Sequence, residues 1–192
     1  MVSRLLRHNA THLLISSTRS IDNQLMHIDW TKPTLDYVFE HNDSIPATYN
    51  VIDLPNANQW TYWIVQAIPG NFTDQVPHPI HLHGHDFSVL GQGVGTFTDA
   101  NTLNYANPPR RDVAMLPAGG WLVIAFETDN PGAWLMHCHI GWHASEGFAT
   151  QFMERRSEIA STFTDVSAME DMCTAWDDYY PTSVYKQDDS GI

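Results

Sequence analysis

The sequence predicts an all-β chain, a β-sandwich followed by a short helical extension. Three observations carry this reading. Short runs rich in aromatic and β-branched residues recur between residues 60 and 154. Proline- and glycine-bearing turns punctuate them, as at Pro117-Ala118-Gly119-Gly120 and Asn130-Pro131-Gly132. From about Ser157 the strand pattern gives way to Glu, Met, Ala and spaced aromatics. Aromatic and branched side chains fit a pleated, half-buried surface, and many short strands joined by turns favour two packed sheets. With 192 residues, 43% of them apolar, the chain has material for one sizeable core.

The first clear strand is Trp60–Ile68 (WTYWIVQAI), and a second is read across Ile80–Leu90. Asp112–Leu116 and Trp121–Thr128 flank the Pro117–Gly120 turn. Asn130-Pro131-Gly132 precedes Ala133–Ile140, and proline followed by glycine suits the central positions of a type II turn. Phe148–Glu154 closes the sandwich. Ser157–Tyr180 is expected to form one or two helices, and Pro181–Ile192 an irregular acidic tail. The domain boundaries follow: 1–156 for the sandwich, 157–192 for the extension and tail.

A net charge of −13 excludes partners held by positive charge, namely nucleic acid and anionic membrane surfaces. The longest unbroken apolar run, Trp121–Phe126, is too short to span a bilayer. The opening Met1-Val-Ser-Arg-Leu-Leu-Arg7 lacks the apolar centre of a signal peptide. Asn-x-Ser/Thr sequons at Asn9, Asn42 and Asn71 would suit a secreted glycoprotein.

Chemistry concentrates in two windows that hold seven of the eleven histidines: His78-Pro-Ile-His81-Leu-His83-Gly-His85-Asp-Phe87 and His137-Cys138-His139-Ile-Gly-Trp-His143. In an extended strand alternate side chains point to opposite faces. Cys138 then faces one way and His137 with His139 the other, so a single strand serves two metal centres. One cysteine, two histidines and a weak or absent axial ligand make a blue-copper electron-transfer site. His78, Cys138 and His143 fit it, leaving His81, His83, His137 and His139 for a second centre. Structural zinc prefers closed four-ligand cages, commonly with paired cysteines, and suits one cysteine among seven histidines poorly.

HPIHLHGHDF and PGAWLMHCHIGWHASEGF resemble the two C-terminal copper-binding motifs of multicopper oxidases. Asn107-Pro-Pro-Arg-Arg-Asp112, Leu116-Pro-Ala-Gly-Gly-Trp121 and Thr128-Asp-Asn-Pro-Gly-Ala-Trp134 are similar to the third domain of fungal, ascomycete-type laccases, and Asp189-Ser-Gly-Ile192 to their C-terminal plug. The match is continuous from about Asp29 and weak over 1–28. The resemblance implies a cupredoxin-like Greek-key sandwich with copper as cofactor. By position, His78, Cys138 and His143 would bind type 1 copper, His81 type 2, and His83, His137 and His139 the type 3 pair. Phe148, ten residues past Cys138, occupies the axial position, and His85 is read as a supporting residue. Implied substrates are phenols or aromatic amines oxidised near His143, with dioxygen reduced to water. The plug would enter the channel to the trinuclear cluster. Localisation would be extracellular.

The chain departs from that pattern in what it lacks. The family's trinuclear cluster takes eight histidines, and this chain offers four; His8, His12, His27 and His41 form no His-x-His pair. The missing ligands belong to N-terminal cupredoxin domains, to which Cys173 would be disulfide-bonded. Taken alone, the chain is expected to be a fragment or truncated gene product. The alternatives are a stand-alone type 1 copper electron carrier and a non-catalytic remnant.

Overall fold

The computed structural model describes residues 10–15, 21, 24–67 and 76–192. The sequons at Asn9 and Asn71, and Ile68 at the end of the first predicted strand, lie outside these residues. Among the described residues, ten strands form two five-stranded sheets. In chain order they are β1 (Ala10–Ile15), β2 (Val51–Leu54), β3 (Trp60–Ala67), β4 (His78–Leu82), β5 (Phe87–Val94), β6 (Arg110–Arg111), β7 (Val113–Leu116), β8 (Gly120–Glu127), β9 (Gly132–Cys138) and β10 (Ala149–Glu154). The first sheet runs β1-β3-β8-β5-β6 and the second β2-β10-β9-β4-β7. β1 with β3 and β2 with β10 are parallel pairs; the others are antiparallel.

The core lies between the sheets. Trp63 and Val65 from β3 and Leu122, Ile124 and Phe126 from β8 meet Ile80, Leu82, Leu116, Met136, Cys138 and Phe152 from the other layer. Phe152 touches Trp63 and Phe126 with ring centroids 4.5 and 5.4 Å apart. The outer face of the first sheet is covered as well: Tyr62, Ile64, Val123 and Ala125 pack with Leu103, Phe97 and Tyr105 from the 97–105 loop. That double burial explains why β3 and β8 read as near-continuous apolar runs instead of alternating ones.

The single strand predicted across Ile80–Leu90 divides. β4 belongs to the second sheet and β5 to the first, and the chain changes layers at residues 83–86. Gly84 makes the crossing. Its φ is +72°, and a Cβ there would lie 2.4 Å from the Trp134 ring. β9 stops at Cys138, two residues before its predicted end.

Among the described residues, four α-helices accompany the sheets: α1 (Thr34–Phe39), α2 (Gly141–Ser145), α3 (Arg156–Ile159) and α4 (Ser167–Tyr179). α3 runs on into a 3₁₀ turn at Ala160–Thr162, so the predicted helical extension is present. α4 buries no residue fully and is attached through Trp176, which meets Trp30 edge-on at 5.9 Å and stacks on Tyr180 at 5.1 Å. Beyond Thr182 the chain is irregular, as predicted, yet Ser190 is buried.

Candidate metal centres

Register brings the two histidine windows together. β4 and β9 are antiparallel neighbours with His81 opposite His137 and Ile80 opposite Cys138. On β4, His78, Ile80 and Leu82 are buried while Pro79 and His81 are less so; on β9, Met136 and Cys138 are buried and His137 half-buried. The pleat thus sends Cys138 with His78 to one side of the second sheet and His81 with His137 to the other.

On the inner side, α2 turns the chain back so that His143 rejoins Cys138. Backbone bonds fix the return: Phe148 N donates to His143 O at 2.9 Å, and Cys138 N to Phe148 O at 3.1 Å. Cys138 Sγ lies 3.6 Å from His78 Nδ1 and 3.5 Å from His143 Nδ1, and all three residues are buried. Metal–nitrogen bonds of about 2.0 Å and metal–sulfur bonds of about 2.3 Å would separate N and S by about 3.5–3.7 Å for tetrahedral to trigonal angles. The three donors therefore fit one shared ion. The fully buried Phe148 ring stands edge-on to His78 at 5.1 Å and 6.4 Å from the His143 ring.

On the outer side, ligand atoms of His81, His83 and His137 converge within 4.8 Å of one another. Two of these rings are oriented from behind. His81 Nδ1 is 2.8 Å from Asp112 O and His137 Nδ1 is 3.0 Å from Cys138 O. Donation to a carbonyl places the proton on Nδ1 and leaves Nε2 as the ligand atom. Burial, then the neighbouring imidazoles, hold His83 below the usual histidine range; burial does the same to His137 against the opposing pull of its Cys138 hydrogen bond. Both rings thus favour the neutral, ligating form. His139 sits at the edge of this group, exposed, with its ring 5.6 Å from those of His81 and His137.

His85 belongs to neither group. Its side chain is 4% exposed, and its Nε2 lies 2.9 Å from Glu154 Oε2, close but without hydrogen-bond alignment. Glu154 Oε1 accepts from Asn130 N at 2.6 Å, and Asn130 Nδ2 donates to Gly84 O at 2.9 Å. β10 thereby braces the turn that carries His83. Sequence reasoning missed Glu154 and Asn130 because their partners lie far away along the chain. The available signal was a carboxylate, Glu154, closing the otherwise uncharged strand-like run Phe148–Met153.

Residues 17–158 match the family model described as multicopper oxidase. Laccase-3 of Botryotinia fuckeliana is 59% identical over 143 residues, covering 70% of this chain and 32% of that protein. The laccase of Cryphonectria parasitica is 45% identical over 195 residues, covering 93% and 33%. The crystal structure of Botrytis aclada laccase matches with a TM-score of 0.87 and 42% identity, over 96% of this chain and 35% of that one. The chain therefore spans about a third of the length of these relatives. The two-layer architecture is cupredoxin-like, as in these laccase neighbours. With a family model matching most of its length and fungal laccases among its relatives, the chain belongs to the multicopper oxidase family.

Proposed function

We propose that this chain is the copper-carrying third domain of a laccase-type oxidase, with His78, Cys138 and His143 as type 1 ligands and Phe148 at the axial position. One observation carries the reading: a thiol and two imidazole nitrogens converge in a buried site, back to back with a second imidazole cluster. Copper, the cofactor implied by the family, would supply one-electron transfer there. The remaining work belongs to the protein. Packed apolar neighbours and backbone ties hold the donors in one arrangement and exclude water, which limits what must rearrange on electron transfer. His143 is the most exposed of the three at 6%, against 2% for His78 and 0% for Cys138, and it neighbours exposed Trp142. An electron donor from solvent would approach on that side. The covalent path from Cys138 to His137 and His139, with the His137 Nδ1–Cys138 O contact beside it, joins the two centres directly.

His81 is assigned to type 2 copper, and His83, His137 and His139 to the type 3 pair. The other four ligands would come from N-terminal cupredoxin domains. Cys173, half-buried on α4 and unpaired in this chain, is the proposed disulfide anchor to them. The complete enzyme would oxidise phenols or aromatic amines and reduce dioxygen to water, as a secreted glycoprotein. Residues 1–156, weakly matched over 1–28, are assigned to its third domain, and 157–192 to a helical extension and C-terminal tail.

Copper reconstitution of the chain in an oxygen electrode tests this. A blue copper centre with no sustained oxygen uptake in the presence of a phenol is expected, because half of the trinuclear ligands are absent. Sustained uptake would contradict the fragment reading unless two copies assemble one cluster, which sedimentation would detect.

A further inference from the structure

Ser190 is 3% exposed in a segment whose composition predicts a loose acidic tail. Its Oγ donates to Ala144 O at 2.7 Å and its N–H to Ser145 O at 2.9 Å, while its carbonyl accepts from Ile28 N at 2.9 Å. Ala144 and Ser145 form the last turn of α2, the helix that presents His143. Carbonyls at a helix end lack intrahelical partners; Ser190 N supplies one to Ser145 O, and its hydroxyl adds a second donor to Ala144 O, which also accepts from Gly147 N at 2.8 Å. A second strap runs alongside: Met26 N donates to Gly147 O at 3.0 Å. Gln187 ties strap and tail together, its Nε2 donating to Ile28 O at 2.6 Å and its Oε1 accepting from Trp30 N at 3.0 Å. The fit is close enough that a Cβ on Gly191, at φ +83°, would lie 2.4 Å from Ile28 O.

We propose that Ser190 is a positioning residue for the inner metal site: residues 187–191 clasp α2 and fix His143 Nδ1 against Cys138 Sγ. The clasp grips Ala144, adjacent to His143, while Phe148 N holds the His143 carbonyl. His143 is thus constrained from both sides by contacts outside the copper ligands. The resemblance assigns this segment to the trinuclear channel; its contacts here are with the helix of the other centre. The inference rests on His78, Cys138 and His143 being the copper ligands.

The test compares Ser190→Ala and Gln187→Ala with Thr128→Ala in the copper-loaded full chain. Thr128 is equally buried and hydrogen-bonded to Asn56 and Gln59, and it contacts no metal-site residue named above. Copper affinity, the electron paramagnetic resonance spectrum of the blue site and the urea midpoint are read together. Residues that orient ligands typically change affinity by about 10–100-fold. Ser190→Ala is expected to weaken copper binding about tenfold and to alter the copper hyperfine splitting. Gln187→Ala should move both in the same direction by less, and Thr128→Ala should lower the urea midpoint alone. If both tail variants lose stability but keep wild-type affinity and spectrum, the clasp is structural only and the inference fails. A wild-type chain that forms no blue centre overturns the copper assignment itself.

Discussion

Phe148 places beside two imidazoles an aromatic ring that has no lone pair to donate. An apolar wall disfavours the more highly charged cupric state, whereas a thioether in its place would approach as a weak ligand and favour it. Phe148→Met is therefore expected to keep the blue colour and lower the reduction potential, at a stability cost below about 1.5 kcal/mol for a near volume-conserving exchange. An unchanged potential in redox titration would remove Phe148 from the axial position. Tyr49 offers a test unrelated to copper. Its hydroxyl donates to Lys32 O at 2.7 Å, and burial pushes its phenol up from 10.0 to about 12. The folded state then holds this proton more tightly than the unfolded chain. The resulting stability is complete below about pH 10 and is lost as the pH rises towards 12. Tyr49→Phe should flatten the fall in urea midpoint across that window. An unaltered slope would mean that other groups set the alkaline limit.

The strand pair β4–β9 positions both centres, and β10 braces the turn between β4 and β5. Removing Glu154 would leave His85 buried without its carboxylate and free the Asn130 amide. Loss of one member of a buried polar pair costs about 3 kcal/mol, while replacing both by apolar groups of similar size is often neutral. Glu154→Ala should accordingly lower stability by about that amount, and His85→Phe with Glu154→Leu should recover much of it. Double-variant unfolding curves no better than the single would place Glu154's role elsewhere. The opposite facing of Cys138 and His137 was legible in the sequence, because alternate strand residues point to opposite faces; the pairing of β4 with β9 was not, since the two strands lie far apart in the chain. Nor was the division of Ile80–Leu90, since Ile80–Leu82 and Phe87–Leu90 both carry strand-compatible residues, and the four-residue crossing at 83–86 is marked only by Gly84 at positive φ. β1 and β2 escaped notice for a different reason. They are short or weakly patterned edge strands held parallel to β3 and β10, so their stability comes from partners distant in the chain. The burial of Ser190 was equally hidden, because an acidic, glycine-bearing composition says nothing of a strap waiting at residues 26–30.

At the scale of the molecule, one sandwich carries two unequal sites. The inner one is closed and supplies its own donors; the outer one opens to solvent through exposed His83 and His139. A solvent-facing imidazole cluster thus lies behind a closed thiol–imidazole one, in a chain that spans about a third of the length of its relatives. No helix among the described residues is long and apolar enough to cross a membrane. The central claim is that Cys138 is a copper ligand of the inner site, and the absorption spectrum of the copper-loaded chain beside its Cys138→Ser variant tests it most directly. Thiolate-to-copper charge transfer predicts an intense blue band from one tightly held ion per wild-type chain and a colourless variant. A blue variant, or a wild-type chain that binds copper without colour, would contradict it.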